Sequence, residues 1–480
     1  MKRTLIAFAI AFLPAASLPS AAFAQSPDGG SEQAQIETAI VPIVTFEGEE
    51  GNRKTLEQRR TELGVPAVST AVLRNGELSW ARAYGEGADE DTLFQFASLS
   101  KPVAAAGIIA LAFERGVGLD HDISPQLTGL DLERLNPDGI PITLRGILSQ
   151  TSGATVGGFP GYISTDPVPT TAEVIGVGGP TNTPPVVIEP NPDGERRYSG
   201  GGYTIAQYWA EQVSGESFES VMRRLILDPL GMERSTFASA PPAGFTRENV
   251  ASGWGNDGEM LRGQWRIHPE QAAASLWSTP REFSRFLSAL MAALDGEASG
   301  GITPEVAKAM ATPVSETYGL GLGIADIDGA IRLTHSGSNL GYKSNFMAYP
   351  ATGDAIVTVV NSEKGWPLVG DIGRTANVTY GWPMSSLLVR QRMDASEKEL
   401  SAYVGDYVAE SGPAVFTLVA DAPELLGSAP SGYTFRLVKT GEATFIDPED
   451  GQEGTFVIDD TGRMSVTFAG TTFVREREGD

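Results

Sequence analysis

Two groups of alternating, strand-like segments lie on either side of a long helix-forming middle, and that separation constrains the fold more than any other feature. PAVSTAVLRNGELSWARAYG, residues 66–85, reads as two strands around Asn75-Gly76, a pair that tolerates the positive φ angles of a tight hairpin turn. From about residue 98 to 300 the pattern is helical, over 98–115, 204–213, 217–226 and 281–294. Gly- and Pro-rich loops separate these helices, above all in residues 151–195. Strand patterns return in YGLGLGIAD (318–326), IRLTHSG (331–337) and DAIVTVVNS (354–362), and residues 366–378 suit a closing helix. A two-stranded hairpin cannot bury a face alone, so the early hairpin needs these late strands. The expectation is one α+β domain, residues 56–385, whose sheet uses both ends of the segment.

Composition changes near residues 384–396. Beyond it AVFTLVAD, YTFRLVKTG, EATFIDP, GTFVIDD and MSVTFAGTTFVRE alternate without a strong helix. Residues 397–480 therefore read as a small antiparallel β domain, barrel or sandwich. A chain of 480 residues, 41% of them hydrophobic, can supply both cores.

At the other end, Lys2 and Arg3 precede the apolar run LIAFAIAFLPAA, and Ala22-Phe23-Ala24 offers small residues before Gln25. This is a secretory-signal pattern, so residues 1–24 are expected to be cleaved near Ala24 and the protein exported, to the periplasm or beyond. Residues 25–55 are polar and linker-like. No later apolar run reads as long enough to cross a bilayer, so no membrane span is expected. The chain has no cysteine, which excludes disulfides, thiol catalysis and thiolate metal sites. Without Lys2 and Arg3, 33 basic residues face 60 acidic ones, a net charge of −27. Such a surface repels phosphate backbones, so nucleic acid is not an expected partner. The oligomeric state is not legible.

Seven lysines remain after the leader, and Lys101 is the only lysine with a serine three positions before it. Positions i and i+3 of a helix lie side by side, so its amine can meet the Ser98 hydroxyl. Pro102 removes the bond to the Ser98 carbonyl, which costs least at a first turn. Ser98 would then carry a free backbone N–H beside its hydroxyl, one half of an oxyanion hole. Lys101 can act as a base only when neutral, so its reference pKa of about 10.4 must be lowered by burial among Phe94, Phe96 and Val103. The bland alternative is a helix-capping Ser98 and a solvated Lys101.

RRYSGGGY, residues 196–203, places Tyr198 before a glycine run that matches no phosphate-binding loop. The glycines suit close backbone approach, and the Tyr198 phenol can relay a proton. LTHSGSNLGY, residues 333–342, ends a strand with His335-Ser336-Gly337-Ser338. There Gly337 would let a substrate strand lie close, and the Ser338 N–H could complete the oxyanion hole. Neither H-E-x-x-H nor G-x-S-x-G occurs. His121 sits in a polar turn. His268 precedes the helix at 281 and has only a small claim to the site.

Taken together and in this order, FQFASLSKP, ITLRGILSQTSG, GERRYSGGGY, SFESVMRRLILDPLGMERSTF, AAASLWSTPREFSRFL and HSGSNLGY resemble the serine β-lactamase and penicillin-binding-protein superfamily. The resemblance covers roughly residues 50–380. It is nearest to class C β-lactamases, D-alanyl-D-alanine carboxypeptidases and esterases of that fold. It implies a β-lactamase/transpeptidase-like fold: an antiparallel sheet with helices on both faces and an all-helical region. It also implies Ser98 as nucleophile, Lys101 as base or base partner, Tyr198 as second proton carrier, an oxyanion hole from the N–H groups of Ser98 and Ser338, and no cofactor or metal. Gly200, Ser336 and Gly337 would line the substrate, a small molecule or peptide. Two departures stand out. Gly200 replaces the asparagine of Y-x-N, and His335 replaces the lysine of K-T-G. Both fit esters or uncharged amides. The expected protein is a hydrolase of a small ester, amide or D-amino-acid peptide, with a true β-lactamase or carboxypeptidase as one alternative and, because of Gly200, a non-catalytic ligand-binding protein as another. Lys439-Thr440-Gly441 spells K-T-G outright but reads as a hairpin turn of the second domain.

Overall fold

A computed structural model describes residues 32–476, apart from 50, 52, 86, 242–248 and 385–386. The expected leader lies outside the described residues. Six strands form an antiparallel sheet: β1 (Ala67–Arg74), β2 (Glu77–Gly85), β3 (Gly323–Ile327), β4 (Ala330–Asn339), β5 (Tyr342–Tyr349) and β6 (Asp354–Val360). Their order is β2-β1-β6-β5-β4-β3. The early hairpin thus joins the late strands along β1 and β6, where Val68 faces Val360 and Leu73 faces Ala355. It turns at Asn75 (φ 52°) and Gly76 (φ 82°), left-handed values that match the twist of the flanking strands. β5 has no counterpart among the sequence patterns. It lies inside the sheet, between β4 and β6, and it is buried on both faces with Lys343 and Ser344 among its buried residues, so no alternation marks it.

Four helices of fifteen residues frame the sheet: α1 (Ser100–Glu114), α2 (Gly200–Ser214), α3 (Pro280–Leu294) and α4 (Trp366–Tyr380). On one face α4 packs with Ile36 and Leu56 over Val68, Ile356 and Val360. On the other, Phe283 and Leu287 of α3 join Ile108 of α1, Trp209 of α2 and Phe346 of β5 in the main core. This is the β-lactamase/transpeptidase-like fold. The segment Ala97–Glu114 is long and apolar enough to cross a membrane by composition, which corrects the reading that no later run is; 78% of it is buried inside the protein. An apolar perimeter all round is what a helix at the centre of a large core requires.

Residues 32–46, within the stretch expected to be linker-like, are ordered elements. Glu32–Thr38 is helical, and Val44–Phe46 pairs in parallel with Leu388–Arg390. Ile36, Ile40, Val41, Val44 and Phe46 are buried, and the Val41 N–H donates to Thr375 Oγ1 at 2.8 Å on α4. The anchor is distant in sequence, and the interleaved acidic residues mask the apolar pattern.

The second domain is a nine-stranded antiparallel sheet. In spatial order its strands are Glu453–Thr455, Thr444–Ile446, Thr434–Lys439, Glu424–Ser428, Val415–Asp421, Gly405–Ala409, Thr471–Arg475, Met464–Phe468 and Val457–Ile458. Gly454 packs against Phe468, so the first strand curls back onto the last turn of the sheet and the domain is barrel-like. Thr440 and Gly441 form the turn between two of these strands, both N–H groups meeting the Thr444 carbonyl.

Candidate active site

Ser98 stands in a short 3-10 turn, Ala97–Leu99, that runs directly into α1. Ala97 before it has φ 52°, a left-handed conformation that costs a residue with a Cβ on the order of 1 kcal/mol or more. Its surroundings hold it there. The Phe96 N–H donates to Leu276 O, Ser100 Oγ donates to Ala97 O, and the Leu276 N–H donates to Ser100 Oγ.

Lys101 follows one turn later with only 2% of its surface exposed. Its Nζ donates to Ser98 Oγ at 3.1 Å and to Ala273 O at 2.8 Å. The amine also lies over the rings of Tyr198, 4.9 Å from the centroid, and Tyr203, 5.5 Å away. Tyr198, 100 residues beyond Ser98, brings its hydroxyl to 2.7 Å from the same Oγ. Two proton-carrying groups from distant segments therefore converge on one oxygen. Tyr198 is held by the start of α2: Ser199 caps the helix by accepting from the Gly202 N–H, and the Ser199 N–H donates to Gln150 Oε1.

The glycine run serves this chain's own packing. A Cβ at Gly200 would lie 2.6 Å from the Phe159 ring, and Gly200 N–H donates to Gly157 O at 3.2 Å. Gly200, expected to face substrate, is buried, and the Phe159 ring occupies the space where a side chain at Gly200 would project. An apolar ring stands where the resemblance would put an amide.

His335 is brought near but not into contact with Ser98. Its Nδ1 donates to Ser336 O at 2.7 Å, which fixes the tautomer, and its Nε2 accepts from the Tyr318 hydroxyl at 3.1 Å. Gln150 Nε2 donates in turn to that hydroxyl. Burial and, to a lesser degree, the nearby Lys101 amine push the His335 pKa down to about 3. The imidazole is neutral and both its nitrogens are occupied. A permanent charge comes instead from Arg196, whose guanidinium stacks 4.4 Å over the Tyr318 ring. Arg196 is exposed and forms no ion pair among the described residues.

The edge of β4 supplies the remaining wall. Pairing between β3 and β4 ends at Gly323–Thr334, so from His335 onward the outer edge of β4 is open. A Cβ on Gly337 would collide with Phe96 O and Ser344 Oγ and lie 3.0 Å from the Ser98 nitrogen. Only glycine lets β4 pass this close to the Ser98 turn. Ser336 and Ser338 are exposed along the edge. The Ser338 hydroxyl accepts from Lys343 Nζ at 2.9 Å, an amine that also pairs with Glu363 at 2.8 Å. Phe159, Tyr318 and Lys343 lie outside the resembling stretches, and Gln150 and Arg196, although inside ITLRGILSQTSG and GERRYSGGGY, had no role assigned there; their tertiary neighbours reveal all five.

The other histidines differ. His121 is exposed, and its Nδ1 accepts from the Gly118 N–H. His268 is buried 3.8 Å from the carboxyl group of Glu270. No polar side-chain atom of either residue has a hydrogen-bond partner among the described residues. Burial pushes His268 down to about 3 and Glu270 up to about 8, so both are neutral at pH 7.

Helix, sheet edge and intervening helical region together define a β-lactamase-fold serine hydrolase architecture. The chain belongs to the Beta-lactamase family, whose model matches residues 52–379. Among characterised relatives, Unguisins hydrolase ungD of Aspergillus violaceofuscus (strain CBS 115571) is 25% identical over 247 residues, 43% of either chain. Esterase EstB of Burkholderia gladioli is 26% identical over 211 residues, 40% of this chain and 51% of the esterase. The chain thus spans about half the length of these relatives or less. The octameric penicillin-binding protein homologue from Pyrococcus abyssi superposes with a TM-score of 0.57 at 21% identity, over 88% of this chain and 98% of that one. That likeness establishes a common fold.

Proposed function

We propose that the protein is an exported acyl-enzyme hydrolase of small esters or amides. Ser98 Oγ attacks the substrate carbonyl carbon, and its proton passes to the Lys101–Tyr198 pair. The tetrahedral oxygen is held by the N–H groups of Ser98 and Ser338. Collapse breaks the bond to the alcohol or amine, which leaves with the proton returned by the same pair. Water then adds to the acyl-enzyme by the same route and frees the acid. The observation that carries this reading is the double contact at Ser98 Oγ, 3.1 Å from the amine and 2.7 Å from the phenol. Phe159 beside Gly200 and the neutral His335 support an uncharged acyl group over a penicillin-like one. The leader-like residues 1–24 support action outside the cytoplasm.

A second reading rests on Arg196. Its guanidinium at the mouth suits a substrate with a free carboxylate, such as a D-alanyl peptide.

Labelling with a fluorophosphonate tests the first reading, and the expected result is one adduct at Ser98 that is absent in Ser98→Ala. A chain that stays unlabelled would be a ligand-binding protein, not a hydrolase. Parallel rates on a nitrophenyl butyrate, a chromogenic cephalosporin and a D-alanyl dipeptide then choose between the readings.

A further inference from the structure

The second domain contains a cavity of about 390 Å³, within the range of small-molecule sites. Its walls include Phe416, Phe435, Phe473 and Tyr433, and its floor includes Asp447 and Asp450. The rings form a connected set. Phe416 meets Phe435 edge-on at 5.5 Å between centroids and Phe473 at 4.9 Å, while Tyr433 stacks on Phe435 at 6.0 Å. Phe435 lies flat across Gly427 on the neighbouring strand, where any Cβ would collide with it. Gly427 thus leaves the room in which the Phe435 ring sits.

The acidic floor is equally specific. Asp447, Glu449 and Asp450 share one turn, but only Glu449 is neutralised, by Arg59 of the hydrolase domain. Neither Asp447 nor Asp450 has a lysine or arginine partner among the described residues. Asp447 is only 4% exposed. Its Oδ1 accepts from the Glu449 N–H at 2.8 Å, and the Asp450 backbone N–H also donates to this carboxyl group. Asp450 Oδ1 accepts from the Gln452 N–H. Burial, reinforced by Asp450, pushes Asp447 up to about 7. A buried Asp447 and an exposed Asp450 thus share one turn without a lysine or arginine partner among the described residues, on the same cavity as the aromatic rings.

Aromatic faces present negative potential, and a cation among them gains both from the rings and from the carboxylates. An anionic amphiphile would meet repulsion from the same groups. We propose that this cavity is a second binding site, separate from Ser98, for a small organic ammonium ion. The apolar body of the ligand lies against Phe416, Phe435 and Phe473, and its cationic head meets Asp447 and Asp450. The proposal is independent of the catalytic reading.

Calorimetric titration of the full chain tests it with three benzyl probes: benzyltrimethylammonium, its neutral carbon isostere neopentylbenzene, and the anion phenylacetate. The ammonium probe is expected to bind at least tenfold more tightly than the neutral probe, with no detectable binding of the anion. In the double variant Asp447→Asn, Asp450→Asn the preference is expected to vanish, while Phe435→Leu weakens both binding probes. Equal affinity for charged and neutral probes in the parent protein would overturn the proposal, whether or not the variants fold. So would an ammonium affinity that survives the double asparagine change, or no ammonium binding at millimolar concentration.

Discussion

The Ser98 cleft and the cavity of the second domain treat buried polarity in opposite ways. In the cleft nearly every polar group has a partner: Lys101 has Ser98 and Ala273, His335 has Tyr318 and Ser336, and Ser338 has Lys343. In the barrel, Asp447 and Asp450 lack any countercharge among the described residues. A satisfied network fixes atoms to within the tolerance that bond-making requires, whereas unbalanced charge keeps a site selective for an opposite charge. The cleft draws on segments around residues 98, 198, 273 and 335, and the barrel on successive hairpins. The first is organised to position and the second to attract.

The largest effect that could break this contrast lies at Lys101. Lys101→Ala leaves Ser98 without its amine partner, and the labelling rate is expected to fall by about a thousandfold or more. A variant labelled as fast as the parent would remove the lysine from the mechanism. Next comes Gly337→Ala, which pushes β4 away from the Ser98 turn. Ester turnover is expected to drop by roughly a hundredfold through kcat, while circular dichroism shows an intact fold. Unchanged turnover would mean that the β4 edge is not the oxyanion wall.

Arg196→Ala sharpens the comparison from the substrate side. For a D-alanyl peptide, KM is expected to rise by roughly tenfold with kcat retained, and a neutral ester should not respond. Equal changes for both substrates would refute the carboxylate contact.

The smallest effect on turnover is expected at Glu270, the exception within the hydrolase domain. Its folded pKa, about 8, lies above its unfolded value, about 4.5. The folded chain therefore holds a proton that the unfolded chain releases, and stability should decline as pH rises from about 4.5 to about 8. Asp447 acts in the same direction from about 4 to about 7. Denaturant melts at pH 7 and pH 8.5 should show this decline, because above pH 7 His268 and His335 are largely neutral in both states and no longer oppose it, and Glu270→Gln should remove part of it. An identical slope in the variant would show that Glu270 does not hold the proton.

Legibility followed locality. The Asn75-Gly76 turn, α1 with its Ser98–Lys101 spacing, the helix at 280–294 and the turn at Thr440-Gly441 all rest on contacts within a few residues, and each was readable. β5 was not, because burial on both faces erases alternation. Residues 32–46 were not, because their anchors, Thr375 and Leu388, lie more than 300 residues away. Gly200 was read for its missing side chain, but what fills that space, Phe159, comes from a loop without any pattern.

By itself the sequence determined which segments could be helix or strand, that a serine and a lysine would share a helical turn, and that thiol chemistry was excluded. These follow from backbone periodicity and residue chemistry, which neighbouring residues carry between them. Only the tertiary structure decided that Tyr198 reaches Ser98, that His335 is neutral beneath Tyr318, and that Arg196 supplies the charge at the mouth. Those outcomes depend on packing distant segments against one another and on the burial that results, and neither quantity is present in any short stretch of chain.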